Sequence, residues 1–182
     1  MGIRSALTWQ GLSFSFLFDI KKGGVLWNGT KGALYYFGTS KETENRGTTK
    51  VFSGVKGHFD PNGALVSSGA KNDEVVTLDQ NWLAYGNGNG FYGSNTEDFI
   101  EDAGWVRLRE VNLSYQLPAT ILESTPFSEV IITFTGRNLW LSTKYTGVDP
   151  ETNLMGAFNA QGLDYFNMPG TKTYTVSLNV KF

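Results

Sequence analysis

Cysteine is absent from this 182-residue chain, and histidine occurs once, at His58. The first absence removes disulfides, thiolate metal sites and a cysteine nucleophile together. The second leaves any zinc site to carboxylates, a poor donor set for that metal. Charge is scarce as well, with 18% of residues charged against roughly 25% in an average soluble domain. A formal net charge of −2 offers no basic field, so nucleic acid is excluded as a partner. No apolar run reaches the 18 or so residues of a membrane-spanning helix. The stretch Met1–Gly11 lacks the apolar centre of a signal peptide, so an exported protein is expected to carry its signal on sequence outside this chain.

What is present points to strands. Aromatic residues make up 14% and glycines number 22, a balance that favours strands and turns. Four segments of about ten residues alternate apolar and polar side chains, the period of a strand with unlike surroundings on its two faces. Near 11–20, Leu12, Phe14, Phe16 and Phe18 share one face, with Ser13, Ser15, Leu17 and Asp19 on the other. Near 105–117, Val106 and Leu108 run in one phase and Val111, Leu113 and Tyr115 in the opposite one. That reversal predicts a β-bulge near Glu110. Near 129–142, Val130, Ile132 and Phe134 alternate with Ile131, Thr133 and Thr135, and Gly136 is expected to mark a kink or bulge before Trp140. Near 172–182, Tyr174, Val176, Leu178, Val180 and Phe182 alternate with Thr175, Ser177, Asn179 and Lys181.

Segments of about ten residues are long enough to cross a bilayer when tilted. Two fold classes compete for this pattern. One is an all-β antiparallel transmembrane barrel with lipid on one side of each strand. The other is a soluble β-sandwich acting as a carbohydrate-binding module, which needs about seven short strands with turn signals every 8–12 residues. Four long strands fit the barrel better. The connections are unequal, as in outer-membrane barrels: residues 118–128 are short, whereas 143–171 and 21–104 are long. Structureless loops of that length usually carry function. Within the longer insert the sequence predicts a helix over Val25–Phe37 and a hairpin turn at Asp60-Pro61-Asn62-Gly63. It also predicts a helical turn over 94–104, capped by Asn95 or Thr96.

Catalytic chemistry finds little support. Asp60 and Asn62 have calcium-like spacing but lack the distal bidentate Glu, so a plain turn is the better reading. Glu97, Asp98, Glu101 and Asp102 read as a solvated helical face ahead of a glycosidase carboxylate pair. The serines have no base partner. No catalytic residue, metal ligand or cofactor is assigned, and the chain is not expected to be an enzyme. The aromatics Trp27, Tyr35, Tyr36, Trp82, Tyr85, Phe91 and Tyr92 all fall in the long insert. They are candidates to face a substrate or a lid protein, or else they pack the insert against itself. Trp105 and Trp140 lie near strand ends, where an interfacial aromatic belt is expected.

The ordered motifs resemble one family. "WVRLREVNLSYQLP" is similar to the Arg-Leu…Leu-x-Tyr-x-Leu-Pro strand of SusC/RagA TonB-dependent outer-membrane transporters, through Arg107, Leu108, Leu113, Tyr115, Leu117 and Pro118. "GRNLWLSTKYTGVDPE" matches its Asn-Leu…Lys-Tyr-x-Gly-x-Asp-Pro-Glu through Asn138, Leu139, Lys144, Tyr145, Gly147, Asp149, Pro150 and Glu151. "MPGTKTYTVSLNVKF" is similar to its Pro-x-x-Arg-Thr-Tyr ending, with Lys172 where Arg is usual. "WQGLSFSFLFDIKKGG" resembles its Gly-x-x-Leu-Ser-Phe strand and the glycines that follow.

The resemblance implies that residues 1–182 are the C-terminal segment, about four strands, of a 22-stranded barrel with a plugged lumen. It places loops 21–104 and 143–171 outside the cell and 118–128 in the periplasm, with the plug domain absent from this chain. It also implies the outer membrane of a Bacteroidetes-like Gram-negative bacterium and import of a glycan or peptide. The implied partners are the remainder of the barrel and plug, outer-membrane lipid, a SusD-like surface lipoprotein, and TonB reached through the missing N-terminal part. Tyr174, Val176, Leu178, Val180 and Phe182 would then form the barrel-assembly signal.

Overall fold

Long strands with one apolar and one polar face can share a sheet only if their registers keep like faces together. A computed structural model shows how this chain meets that condition, and it describes residues 1–79, 97–156 and 161–182. In chain order the strands are β1 (Gly2–Trp9), β2 (Leu12–Lys21), β3 (Val25–Asn28), β4 (Thr49–Val51), β5 (Val55–Phe59) and β6 (Leu65–Lys71). There follow β7 (Val75–Thr77), β8 (Ile100–Asp102), β9 (Trp105–Gln116), β10 (Glu129–Thr143), β11 (Leu163–Asp164) and β12 (Thr173–Lys181). Two helices, α1 (Gly29–Tyr36) and α2 (Ala119–Leu122), complete the set together with short 3-10 turns. The long strands form one five-stranded antiparallel sheet in the order β1-β2-β9-β10-β12.

This sheet has one strand more than the alternation pattern predicts. In β1 the apolar phase is interrupted by Ser5 and the opposite phase contains Ala6, so the period-2 signal is weak. Pairing with β2 decides the matter. Gln10 and Gly11 join the two strands with φ values of 45° and 82°, the left-handed pair that a two-residue hairpin requires. A Cβ on Gly11 would lie 2.8 Å from the Gln116 carbonyl oxygen, so the turn also needs glycine for space.

Cross-strand rows carry like residues right across the sheet. Phe14, Leu113, Phe134 and Val176 form one row, and Leu12, Tyr115, Ile132 and Leu178 the next. Phe18, Leu108 and Trp140 form a row nearer the other end. On the opposite face, Ser15, Asn112, Thr135 and Thr175 are neighbours, as are Ser13, Ser114, Thr133 and Ser177. The polar rows bond laterally: Thr135 Oγ1 donates to Asn112 Oδ1 at 2.7 Å, and Gln116 Nε2 to Glu129 Oε1 at 3.0 Å. The apolar rows are left open. Phe134, Val176 and Leu178 are 53%, 68% and 62% exposed, so no second sheet among the described residues covers them, against the sandwich reading.

The bulge expected near Glu110 lies at Arg109. On β2, adjacent Leu17 and Phe18 pair with Glu110 and Leu108, and Arg109 is the extra residue. Leu108 and Val111 thereby stay on one face despite their opposite phases in sequence. The β10 ladder shifts between Arg137 and Trp140, where Asn138 adopts φ 52°. Gly136, expected at the kink, instead keeps its place in the ladder between Val111 and Tyr174.

The chain divides into two compact units, Met1–Trp27 with Glu101–Phe182, and Asn28–Ile100. In the second unit the predicted helix over Val25–Phe37 is split, because Val25, Leu26 and Trp27 are taken into β3. Helix α1 starts at Gly29, where Asn28 Oδ1 accepts from Lys31 N at 2.9 Å. Phe99 and Ala33 are buried there, and Tyr35 meets Phe99 edge-on with ring centroids 5.5 Å apart. The Asp60 turn closes the β5–β6 hairpin, Asp60 Oδ1 accepting from Asn62 N and Ala64 N at 2.9 and 2.7 Å. The helical turn predicted over 94–104 is limited to Glu97–Phe99, after which the chain is extended in β8; Asn95 and Thr96 lie outside the described residues.

The two faces differ in the cost of a charge. If the apolar face meets hydrocarbon, as the resemblance implies, Val176→Arg should destabilise the full-length protein in a bilayer by about 2–4 kcal/mol. Ser177→Arg, one residue along on the polar face, should cost little. Urea midpoints in liposomes measure both, and equal losses would mean the faces are misassigned.

Candidate functional site

The bulge gathers side chains that a regular strand would separate. Arg107 belongs to the polar face of β9 opposite Asp19, and the extra residue Arg109 also joins that side. Arg109 Nε and Nη2 each donate to Asp19 Oδ2 at 3.2 Å. Trp105 lies beneath the pair, its ring centroid 5.5 Å from Arg107 Cζ and 5.1 Å from Arg109 Cζ. Such stacking uses the negative face of the indole ring. Trp105 is only 7% exposed on this polar side and so takes no part in an aromatic belt. Trp140, on the apolar face, is 48% exposed and keeps the position a belt requires.

The segment after β10 supplies the opposing charges. Asp149-Pro150-Glu151-Thr152 is a turn whose proline pre-sets the backbone. Thr152 N and Oγ1 donate to the Asp149 carbonyl at 3.2 and 2.8 Å. This aims the Asp149 carboxylate at Arg107, whose Nη2 donates to Oδ1 at 2.6 Å. Glu151 accepts from Arg109 Nη1 at 2.8 Å, is also bonded to Arg109 Nη2, and lies 3.5 Å from Arg107 Nη2. Arg107 and Asp149 are buried, at 4% and 6% exposure. Removing one member of such a pair leaves an uncompensated buried charge, at a cost of about 3–5 kcal/mol.

A second contact holds the same segment. Tyr145 is buried with Leu26 and Ala103, and its hydroxyl donates to the buried Asp164 carboxylate. Burial, then the bond to Asp164 and the charges of Asp164 and Glu101, push the Tyr145 phenol far above its ordinary value of 10.0. The phenol therefore stays a donor. Glu101 accepts from Thr146 N and Oγ1, both at 2.6 Å, and Asp102 Oδ1 accepts from Gly104 N at 2.7 Å. These acids of the proposed helical face are thus tied to backbone and loop. An open cleft of about 250 Å³ remains between segment and sheet, lined by Arg107, Arg109, Asn138, Asp149, Glu151 and Thr152 with residues 168–170.

The aromatic candidates divide. Trp27 lies half-buried on β3, its amide donating to the Gly162 carbonyl at 2.9 Å. Tyr35 is half-buried, packs on Phe99 and donates its hydroxyl to Glu42, and Tyr36 meets Phe37 edge-on at 5.0 Å. Trp82, Tyr85, Phe91 and Tyr92 lie outside the described residues. Of the terminal set, Tyr174, Val176, Leu178 and Phe182 are exposed, and Phe182 touches Phe127 with ring centroids 5.3 Å apart. The charged cluster itself was not anticipated as a site. Arg107, Tyr145, Gly147, Asp149 and Glu151 carried only the family resemblance, which nonetheless marked the residues that meet.

A single-layer antiparallel sheet with one apolar face, one polar face and a segment ion-paired to the polar side is the architecture of a membrane-barrel wall. Comparison with known proteins agrees. No family model matches the chain. TonB-dependent receptor P3 of Formosa agariphila is 36% identical over 92 residues, covering 48% of this chain and 9% of that protein. TonB-dependent receptor P26 of the same organism is 26% identical over 185 residues, covering 100% of this chain and 16% of the relative. The chain therefore spans a small part of the length of the curated relatives it matches. Among solved structures, the RagAB peptide importer superposes with a TM-score of 0.55 in its open-open state, at 16% identity over 100% of this chain and 17% of that one. Its closed-closed state gives a TM-score of 0.54 at 18% identity, with the same coverage. The likeness to TonB-dependent receptors read from the motifs is shown by these relatives, and the fold is that of part of the importer's barrel chain.

Gly147 tests the packing of the segment. A Cβ there would fall 2.6 Å from Tyr145 Oη and overlap the ring, which the bond to Asp164 holds in place. Gly147→Ala in the full-length protein should cost about 1–3 kcal/mol, whereas Val148→Ala, at a 63% exposed neighbour, should stay within about 0.5 kcal/mol. Tyr145 adds a pH signature. Above pH 10 the unfolded phenol loses its proton before the folded one, so stability should fall as pH rises further. Thermal midpoints of wild type and Tyr145→Phe between pH 9 and about pH 11 check this, and parallel curves would contradict it.

Proposed function

We propose that the chain is a wall segment of an outer-membrane, TonB-dependent nutrient importer, with a glycan or peptide as the imported molecule. The observation that carries this reading is the open apolar face: rows such as Phe14, Leu113, Phe134 and Val176 run unbroken across the sheet and are left exposed among the described residues. Hydrocarbon is the solvent that suits such a face, and a closed barrel is the arrangement that satisfies both sheet edges. The polar face, with its lateral bonds among Ser, Thr and Asn, suits a hydrated interior. The role is passage, not chemistry, in keeping with relatives that are receptors and an importer.

The remaining partners follow as parts of the same proposal. β1 and β12 each have a free edge for further strands of a 22-stranded barrel. A plug and a TonB-contacting segment are the further partners of the wall in this proposal. A SusD-like lipoprotein lid, with the insert 21–104 and loop 143–171 facing it outside the cell, completes the proposal for a chain whose fold is similar to part of the RagAB peptide transporter. Trp27, Tyr35, Tyr36, Trp82, Tyr85, Phe91 and Tyr92 are the residues offered to lid or substrate. Tyr174, Val176, Leu178, Val180 and Phe182, alternating along an exposed strand, serve as the barrel-assembly signal.

Protease added to intact cells tests the sidedness. Cleavage should occur within the exposed polar stretch 44–50 and spare residues 118–128. Cutting confined to 118–128 would invert the membrane sides, and resistance at both together with solubility in the absence of detergent would remove the membrane reading altogether.

A further inference from the structure

We propose that residues 144–156 form a strap clasped to the polar face of the sheet by Arg107, and that releasing this clasp frees the strap while the sheet stays intact. The strap has little apolar hold. Tyr145 is its contribution to the small buried cluster with Leu26 and Ala103, while Val148, Leu154 and Met155 are exposed at 63%, 47% and 44%. Its grip on β9 is ionic instead, through Asp149 and Glu151. A large buried hydrophobic seam would tie strap and sheet into one cooperative unit; a few charge pairs and the polar bonds of Tyr145 and Thr146 over a small seam leave the strap able to open by itself.

Two features of the cluster make the clasp releasable. Three carboxylates, Asp19, Asp149 and Glu151, share two guanidiniums, and they are not equivalent. Asp19 belongs to the sheet, so Arg109 keeps a partner when the strap leaves. Arg107 does not, because both acidic residues it meets, Asp149 and Glu151, are on the strap. The closed state is also incompletely satisfied: Arg107 Nε and Trp105 Nε1 are buried without an acceptor. A buried donor left unpaired opposes closure and becomes solvated on opening. Closure onto β9 thus hangs on Arg107 meeting Asp149, while Tyr145 with Asp164 and Thr146 with Glu101 hold the first residues of the strap; opening returns a guanidinium and an indole N–H to water. The polar side of the sheet is the barrel interior only on the reading proposed above, so the strap's effect on passage rests on that reading; the clasp itself does not.

Ala103 reports on the strap, since it is 1% exposed in the closed state beside Tyr145. The test uses the full-length receptor carrying Ala103→Cys as its accessible thiol, and a hydrophilic maleimide. In detergent-solubilised, folded receptor, labelling should be slow and should accelerate roughly tenfold or more on adding Arg107→Gln. The strap-only double variant Asp149→Asn with Glu151→Gln, which leaves the sheet untouched, should do the same. Arg107→Lys should fall between, and the exchange Arg107→Asp with Asp149→Arg should return labelling towards the slow rate. Heat-modifiable migration of the barrel on gels should persist throughout. Unchanged labelling in the double variant overturns the clasp, as does acceleration accompanied by loss of the folded barrel. Acceleration in detergent without labelling of intact cells supports the clasp and removes the extracellular placement of the strap.

Discussion

One extra residue, Arg109, sets the conditions for the rest of the sheet. Without the bulge, Val111, Leu113 and Tyr115 would turn to the polar side and Glu110 and Asn112 to the apolar side, and both faces would be mixed. A charge on the apolar face of a membrane strand costs up to a few kcal/mol at mid-depth, so Glu110 there, with Asn112 beside it, would consume a sizeable share of the stability of an ordinary domain. The bulge avoids that cost. It does so by putting two arginines and a glutamate on the same short length of polar face, and that concentration of charge needs partners.

The partners come from two directions. Asp19 is supplied by the neighbouring strand, 90 residues from Arg109 in sequence but adjacent to it in the sheet. Asp149 and Glu151 arrive with the segment after β10, aimed by a proline turn. Trp105 gives the guanidiniums a flat apolar surface to lie on, which a smaller side chain would not. The cluster is therefore both the answer to a strand irregularity and the attachment point of a loop.

Much of the sheet was legible because alternation is a local signal. Phe14, Phe16 and Phe18, or Val176, Leu178 and Val180, announce their faces within a few residues, and the phase reversal in β9 announces the bulge. Strand β1 was missed because Ser5 and Ala6 blur the same signal, and its pairing with β2 had to supply what its own sequence does not. The kink was placed at Gly136 on conformational freedom alone. Asn138, the other residue type that tolerates left-handed backbone, takes it instead, and its side chain finds the Thr171 carbonyl at 3.1 Å. The ion cluster was illegible for a different reason. Arg107 and Asp149 are 42 residues apart, and no period links positions on a strand to positions in a loop. The motif spelled out both halves without showing that they meet. Trp105 was misread for the same reason: its position near a strand end is local information, but which face it takes depends on register with β2.

The long insert is entered and left at a single place. Lys21 and Trp105 are ladder partners, and the Ala103 amide bonds to the Gly24 carbonyl at 3.0 Å, so the two ends of the excursion are stitched side by side. Closing a loop costs only about 0.6 kcal/mol more for each doubling of its length. The wall is thus nearly indifferent to how much chain is threaded through that point. Residues between the stitches can be lengthened, shortened or exchanged as a cassette while strands β2 and β9 keep their register. In evolutionary terms the same sheet can be refitted with new surfaces, each tried at small thermodynamic risk to the strands that carry it.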